Sequence, residues 1–102
     1  MRVGNFDVKR ILIDPGSSAE IMYDSLFKGL GLGQEDLDKK VDLLYGFTGE
    51  SIMPVGRVTV KVHAGMVSSP TEFWVLNSYS PYNAILGRPW LHKMRAVPST
   101  LH

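Results

Sequence analysis

The chain has 102 residues, 44% of them hydrophobic, and eleven Lys+Arg against ten Asp+Glu give a formal net charge of +1. That length fits a single domain, residues 1–102, and the ordinary composition excludes a disordered or low-complexity chain. The charge balance gives no electrostatic case for nucleic acid or an anionic membrane, and zero cysteines exclude disulfides, thiol nucleophiles and cysteine-held metal. The lack of cysteine fits an intracellular location. No apolar run approaches the roughly 18–20 residues of a membrane span, and no signal-peptide core opens the chain. A domain this small buries only about two-thirds of its unfolded surface, so self-association would help it.

Glycines and prolines are scattered between short segments, the punctuation of a mostly β domain. Gly4-Asn5 reads as a hairpin tip with only Met1 to Val3 upstream, so the sequence is expected to begin inside a larger chain. Val8 to Ile13 is rich in β-branched residues and mostly apolar, which predicts a strand running into the Asp14-Pro15-Gly16 turn. Ser17-Ser18-Ala19-Glu20 has capping-box spacing. Behind it Met22, Leu26 and Leu30 form one face of a short helix that Gly29 or Gly31 can end. Gln34 to Lys40 reads as a surface or helical turn.

Leu43-Leu44-Tyr45 and Ser51-Ile52-Met53 flank Gly46-Phe47-Thr48-Gly49-Glu50, which predicts a hairpin with a phenylalanine at its tip. Val58, Val60 and Val62 alternate with polar residues as in a half-buried antiparallel strand. Phe73 to Leu76 is a further strand, expected to follow a turn at Ser68-Ser69-Pro70. Ala84-Ile85-Leu86 is a short strand closed by Gly87, and Pro89 suits the first position of a helix from Pro89 to Met94. Ala96 to Leu101 reads as a final extended segment.

Several chemistries can be set aside. His63, His92 and His102 lack zinc-protease spacing, and His63 reads as a solvated strand residue. No Gly-x-Ser-x-Gly elbow is present, and the glycines from Gly29 to Gly33 follow a helix instead of opening one. No metal site is expected. The informative spot is Asp14-Pro15-Gly16-Ser17-Ser18, at the end of an apolar strand. Asp14 either orders a turn or serves as an acid/base carboxylate on a stiff loop.

A second motif shifts that balance. Arg10-Ile11-Leu12-Ile13-Asp14-Pro15-Gly16-Ser17-Ser18-Ala19-Glu20-Ile21-Met22-Tyr23 precedes Gly46 to Glu50, then Tyr82-Asn83-Ala84-Ile85-Leu86-Gly87-Arg88-Pro89-Trp90-Leu91-His92-Lys93-Met94, then Ala96 to Thr100. This ordered set resembles the retropepsin-type aspartic protease domain of plant Ty3/gypsy-like retrotransposon polyproteins. The resemblance implies a small closed β-barrel with a flap hairpin and one or two short helices. It implies a homodimeric endopeptidase of the cytoplasm or a virus-like particle, which processes its polyprotein without a cofactor. Each chain would give one catalytic Asp14, with Pro15, Gly16, Ser17 and Ser18 forming the active loop. Tyr45, Gly46, Phe47, Thr48 and Gly49 would form the flap over a peptide substrate, and Ile85, Leu86 and Gly87 would support the loop from beneath. Trp90 and Leu91 are expected in the core. One departure stands out: Pro15 replaces the Thr or Ser whose hydroxyl ties such dimers together. It leaves open a module of the same fold that dimerises or binds peptides without catalysis.

Overall fold

The computed structural model describes residues 1–45 and 51–95. The hairpin tip expected at Gly46 to Glu50 and the extended segment expected from Ala96 to Leu101 lie outside the described residues. Among the described residues, nine strands and two α-helices follow one another. They are β1 (Arg2–Val3), β2 (Phe6–Asp7), β3 (Ile11–Ile13), β4 (Ile21–Tyr23), α1 (Asp24–Gly29), β5 (Leu44–Tyr45), β6 (Ser51–Ile52), β7 (Gly56–Ala64), β8 (Val67–Leu76), β9 (Ala84–Leu86) and α2 (Arg88–Arg95). Seven strands form one curled half-barrel sheet in the order β2-β1-β7-β8-β4-β9-β3, while β5 and β6 pair separately. The fold is mostly β, as the punctuation predicts.

The first hairpin forms where expected, with Arg2 opposite Asp7 and Val3 opposite Phe6. Gly4 at its tip has φ +58, a left-handed conformation that costs glycine nothing. The expected strand from Val8 is shortened to Ile11–Ile13. The Val8 amide instead bonds the Met1 carbonyl at 2.9 Å, and its side chain is buried, so this segment serves the hairpin.

The helix also starts later than its spacing predicts. Ile21–Tyr23 is a strand, taken up by β8 on one side and β9 on the other. Ser17 and Glu20 do not form a capping box: Tyr23 precedes α1 without a side-chain cap, and both earlier side chains bond elsewhere. Tertiary pairing of a β-branched and aromatic triplet outweighs its helical spacing. The far end matches expectation, since α1 stops at Gly29 and Gly31 (φ +73) donates to the Lys28 carbonyl at 3.0 Å.

The long pair β7–β8 is the backbone of the sheet, with nine consecutive partners from Gly56↔Val75 to Ala64↔Val67. Its turn lies at Gly65-Met66, where Gly65 has φ +62, and not at Ser68-Ser69-Pro70. Pro70 sits inside β8 opposite Lys61. It is tolerated there because β4 joins β8 only from Trp74 onward, which leaves the Pro70 edge without a strand that needs its missing N–H. Val58 and Val62 face the core, as the alternation predicts, and His63 on the other face is half-buried.

Val3, Met22, Leu26, Phe73, Val75 and Leu86 are wholly or almost wholly buried and belong to one core, which Trp90 of α2 closes. Met22 lies between β8 and β9, fully buried, whereas Met66 at the β7–β8 turn is 96% exposed. Met22→Ala is therefore expected to cost about 2–5 kcal/mol in urea unfolding. Met66→Ala should stay within about 0.5 kcal/mol of the parent.

Candidate active site

The Asp14 loop joins β3 to β4, and β9 returns between those two strands. It runs parallel to β3 (Ile13↔Leu86) and antiparallel to β4 (Ile21↔Ile85). One short apolar strand thus binds both legs of the loop. The Asp14 amide donates to the Leu86 carbonyl at 2.9 Å, so the strand ladder continues into the aspartate itself. Asn83, just before β9, extends the ladder: its amide bonds the Arg10 carbonyl at 2.7 Å and its carbonyl accepts the Tyr23 amide at 3.0 Å.

Within the loop, Asp14 Oδ1 accepts the Gly16 amide at 2.9 Å, and the Asp14 carbonyl accepts the Ser17 amide at 3.0 Å. The turn-forming role of Asp-Pro-Gly is therefore real. It occupies one carboxylate oxygen; the other has no hydrogen bond among the described residues. Asp14 is half-exposed, while Pro15, Gly16 and Ser18 are exposed, so the loop presents its tip outward. The Ser17 hydroxyl turns inward and donates to the Ala19 carbonyl at 2.7 Å.

Beneath the loop lies Gly87. A Cβ there would stand 2.6 Å from both the Ser17 and Ala19 carbonyl oxygens, a distance no side chain can occupy. Glycine is required by close backbone approach. The Arg88 amide donates to the Ser17 carbonyl at 2.9 Å, and Glu20 Oε2 accepts the Gly87 amide at 3.1 Å and the Trp90 amide at 3.2 Å. Of the three residues Ile85, Leu86 and Gly87, Ile85 pairs with both β3 and β4, Leu86 pairs with β3, and Gly87 packs against the loop carbonyls. Pro89 is the second residue of α2 instead of the first. Trp90 is buried and Leu91 packs against the core.

Glu20 is only 6% exposed, and sequence reasoning gave its carboxylate to the wrong helix. Burial pushes its pKa up, opposed by the Trp90 and Gly87 N–H bonds and, more weakly, by the Lys93 charge. The only signal in the sequence was an acidic residue inside an otherwise apolar and small-residue stretch.

Of the expected flap residues, Tyr45 pairs through its backbone with Ser51, and Leu44 pairs with Ile52. Gly46, Phe47, Thr48 and Gly49 lie outside the described residues. The hairpin base is apolar and exposed at Leu43, Ile52 and Met53. Behind it the chain is pinned by Arg57, which bonds Asp38 at 2.9 Å and Glu72 at 3.3 Å and lies 5.4 Å from the Trp74 ring centroid. The Lys40 amide, with Arg57 beside it, holds the Asp38 carboxyl below its ordinary pKa. An open apolar cleft of about 220 Å³, lined by residues including Phe6, Leu30, Leu32 and Val60, contains no residue of the Asp14 loop.

No protein-family profile and no curated protein sequence matches the chain. The likeness lies in three dimensions. The retroviral protease-like domain of Ddi1 from Leishmania major matches with a TM-score of 0.67 at 19% identity, covering 98% of this chain and 76% of that one. Together with the curled β sheet and two helices, this establishes a retropepsin-like fold, as the sequence resemblance implies.

Gly87→Ala is expected to lower stability by about 1–3 kcal/mol, because the obstructing atoms are backbone oxygens; a fall in urea midpoint at unchanged slope checks it. Glu20 gives a pH dependence of defined sign. Its proton is held more tightly in the folded chain, so its contribution is full below the ordinary value of 4.5 and is lost as pH rises through the raised folded value. Glu20→Gln lacks this loss. The stability of the Gln variant relative to the parent should therefore increase from about pH 4 to about pH 7, measured by urea unfolding at each pH.

Proposed function

We propose that the chain is an aspartic endopeptidase that acts as a homodimer. The observation that carries this reading is the placement of one half-exposed Asp14 at the end of β3, on a loop held through both flanking strands. Peptide hydrolysis by this route needs two carboxylates sharing one proton. A chain with one Asp-x-Gly loop supplies the second only across a two-fold axis.

The chemistry is then simple to balance. One Asp14 carboxylate takes a proton from water as the water oxygen attacks the peptide carbonyl. The other Asp14, protonated, gives its proton to the carbonyl oxygen. As the resulting diol collapses the C–N bond breaks: the Asp14 that took the water proton gives it to the leaving nitrogen, and a diol hydroxyl returns a proton to the other Asp14. Water is the nucleophile and no cofactor takes part. The hairpin β5–β6, with Tyr45 to Gly49, acts as the flap that closes over a peptide and excludes water.

On the same reading residues 1–102 are the protease domain of a Ty3/gypsy-type polyprotein, which it processes in the cytoplasm or a virus-like particle. A second reading, a dimerisation or peptide-binding module without catalysis, is favoured by Pro15. It has no hydroxyl to offer, and the nearby Ser17 hydroxyl is already engaged by Ala19.

Peptide cleavage and sedimentation of the parent and Asp14→Asn decide between them. The variant should remain folded and lose at least about 100-fold in cleavage rate, because an amide cannot share the proton. Cleavage at the parent rate by Asp14→Asn overturns the aspartic mechanism. A parent that dimerises and binds peptides but cleaves none selects the second reading.

A further inference from the structure

Building on Asp14 as the catalytic carboxylate, we infer that Glu20 is a positioning residue: its buried carboxylate fastens the active loop to the N-terminus of α2 and so sets where Asp14 stands. The amides at the start of α2 carry the argument. Those of Gly87 and Trp90 go to Glu20 Oε2, that of Arg88 goes to the Ser17 carbonyl, and Pro89 has none. The Leu91 amide is the first to bond within the helix, to the Gly87 carbonyl at 3.1 Å. Every amide that a helix normally leaves unpaired at this end is therefore taken by the loop.

The loop depends on the helix to the same degree. From Asp14 to Glu20 it meets Leu86–Trp90 through four hydrogen bonds, two of them made by the Glu20 carboxylate. The Glu20 carbonyl also accepts the Trp74 amide at 2.9 Å, which fastens the same residue to β8. Glu20 thus ties the loop, α2 and the central sheet at one point. Its hydrogen bonds come from amides, and Lys93 acts on it only as a nearby charge, since its Nζ bonds the Pro70 carbonyl at 2.6 Å. The carboxylate is too buried to meet a substrate. Its effect on the reaction passes through the loop.

Substitutions at Glu20 separate hydrogen bonding from volume and charge. Gln keeps an oxygen able to accept both amides, whereas Met fills similar space and accepts neither well. Hydrogen exchange in the full chain provides a readout independent of activity. Glu20→Met should speed exchange of the Gly87, Trp90, Arg88, Asp14 and Ser17 amides by about tenfold or more, with the β7–β8 amides unchanged. Glu20→Gln should restore near-parent exchange. In peptide cleavage Glu20→Met should lose about tenfold or more in kcat with KM little changed, and Glu20→Gln should recover most of it.

If Glu20→Met does not fold, Glu20→Asp makes the same comparison, since its shorter side chain keeps the charge but falls short of both amides. It should then show the exchange and kcat expected of the Met variant. Parent-like loop exchange in the Met or Asp variant overturns the inference, as does faster exchange spread evenly over β7 and β8. Glu20→Gln behaving as Glu20→Met also overturns it. A parent without Asp14-dependent cleavage refutes the catalytic reading alone, because the exchange measurements still test the fastening.

Discussion

The insertion of β9 between β3 and β4 is the constraint on which the rest of the site depends. β3 and β4 are consecutive in sequence and antiparallel in direction, yet they do not pair with each other. The loop between them must therefore open wide enough to straddle a third strand. A loop so spread would be floppy by itself. β9 removes that freedom by bonding both legs, and the ladder reaches Asp14 through the Leu86 carbonyl. A three-residue strand from the far end of the chain thereby makes a surface turn stiff enough to aim a carboxylate.

Much of this was legible where the chemistry is local. Gly4-Asn5, the valine alternation, the hairpin arms around Tyr45 and Ser51, and the strand Ala84–Leu86 each form where the sequence predicts. Their signals are carried by neighbours within a few residues. The misreadings share the opposite cause. Ile21–Tyr23 has helical spacing to Leu26 but is claimed by strands remote in sequence, and Pro70 reads as a turn because its edge position is invisible before β4 is placed. Glu20 has capping-box spacing, and it does cap a helix. That helix begins at Arg88.

Asp14 shows why a residue type alone could not settle its role. Its Oδ1 orders the turn through the Gly16 amide, so the structural and chemical readings of the same carboxylate are compatible. The turn bond fixes the side-chain rotamer, and a fixed carboxylate with a second oxygen available suits acid/base work better than a mobile one. The Ser17 hydroxyl, by contrast, is spent inside the loop on the Ala19 carbonyl, which leaves the exposed Ser18 as the nearest hydroxyl to Pro15.

The chemistry of α2's first turn and that of Gly87 follow from each other. A helix usually caps its own N-terminus with a Ser, Thr, Asp or Asn side chain. At position 87 such a side chain is impossible, because its Cβ would fall 2.6 Å from two carbonyl oxygens of the loop. Glycine solves the contact and leaves the helix uncapped. Pro89 removes one demand by having no amide, and the Ser17 carbonyl meets another. Gly87 and Trp90 remain, both buried, and an unmet buried amide costs about 1–3 kcal/mol. Glu20 is the side chain that reaches them, and as an anion at a helix N-terminus it also gains from the helix dipole. The desolvation that raises its pKa is thus tolerated because removing it would strand two donors. Close packing of loop on helix, the glycine that permits it and the buried acid that completes it form one device.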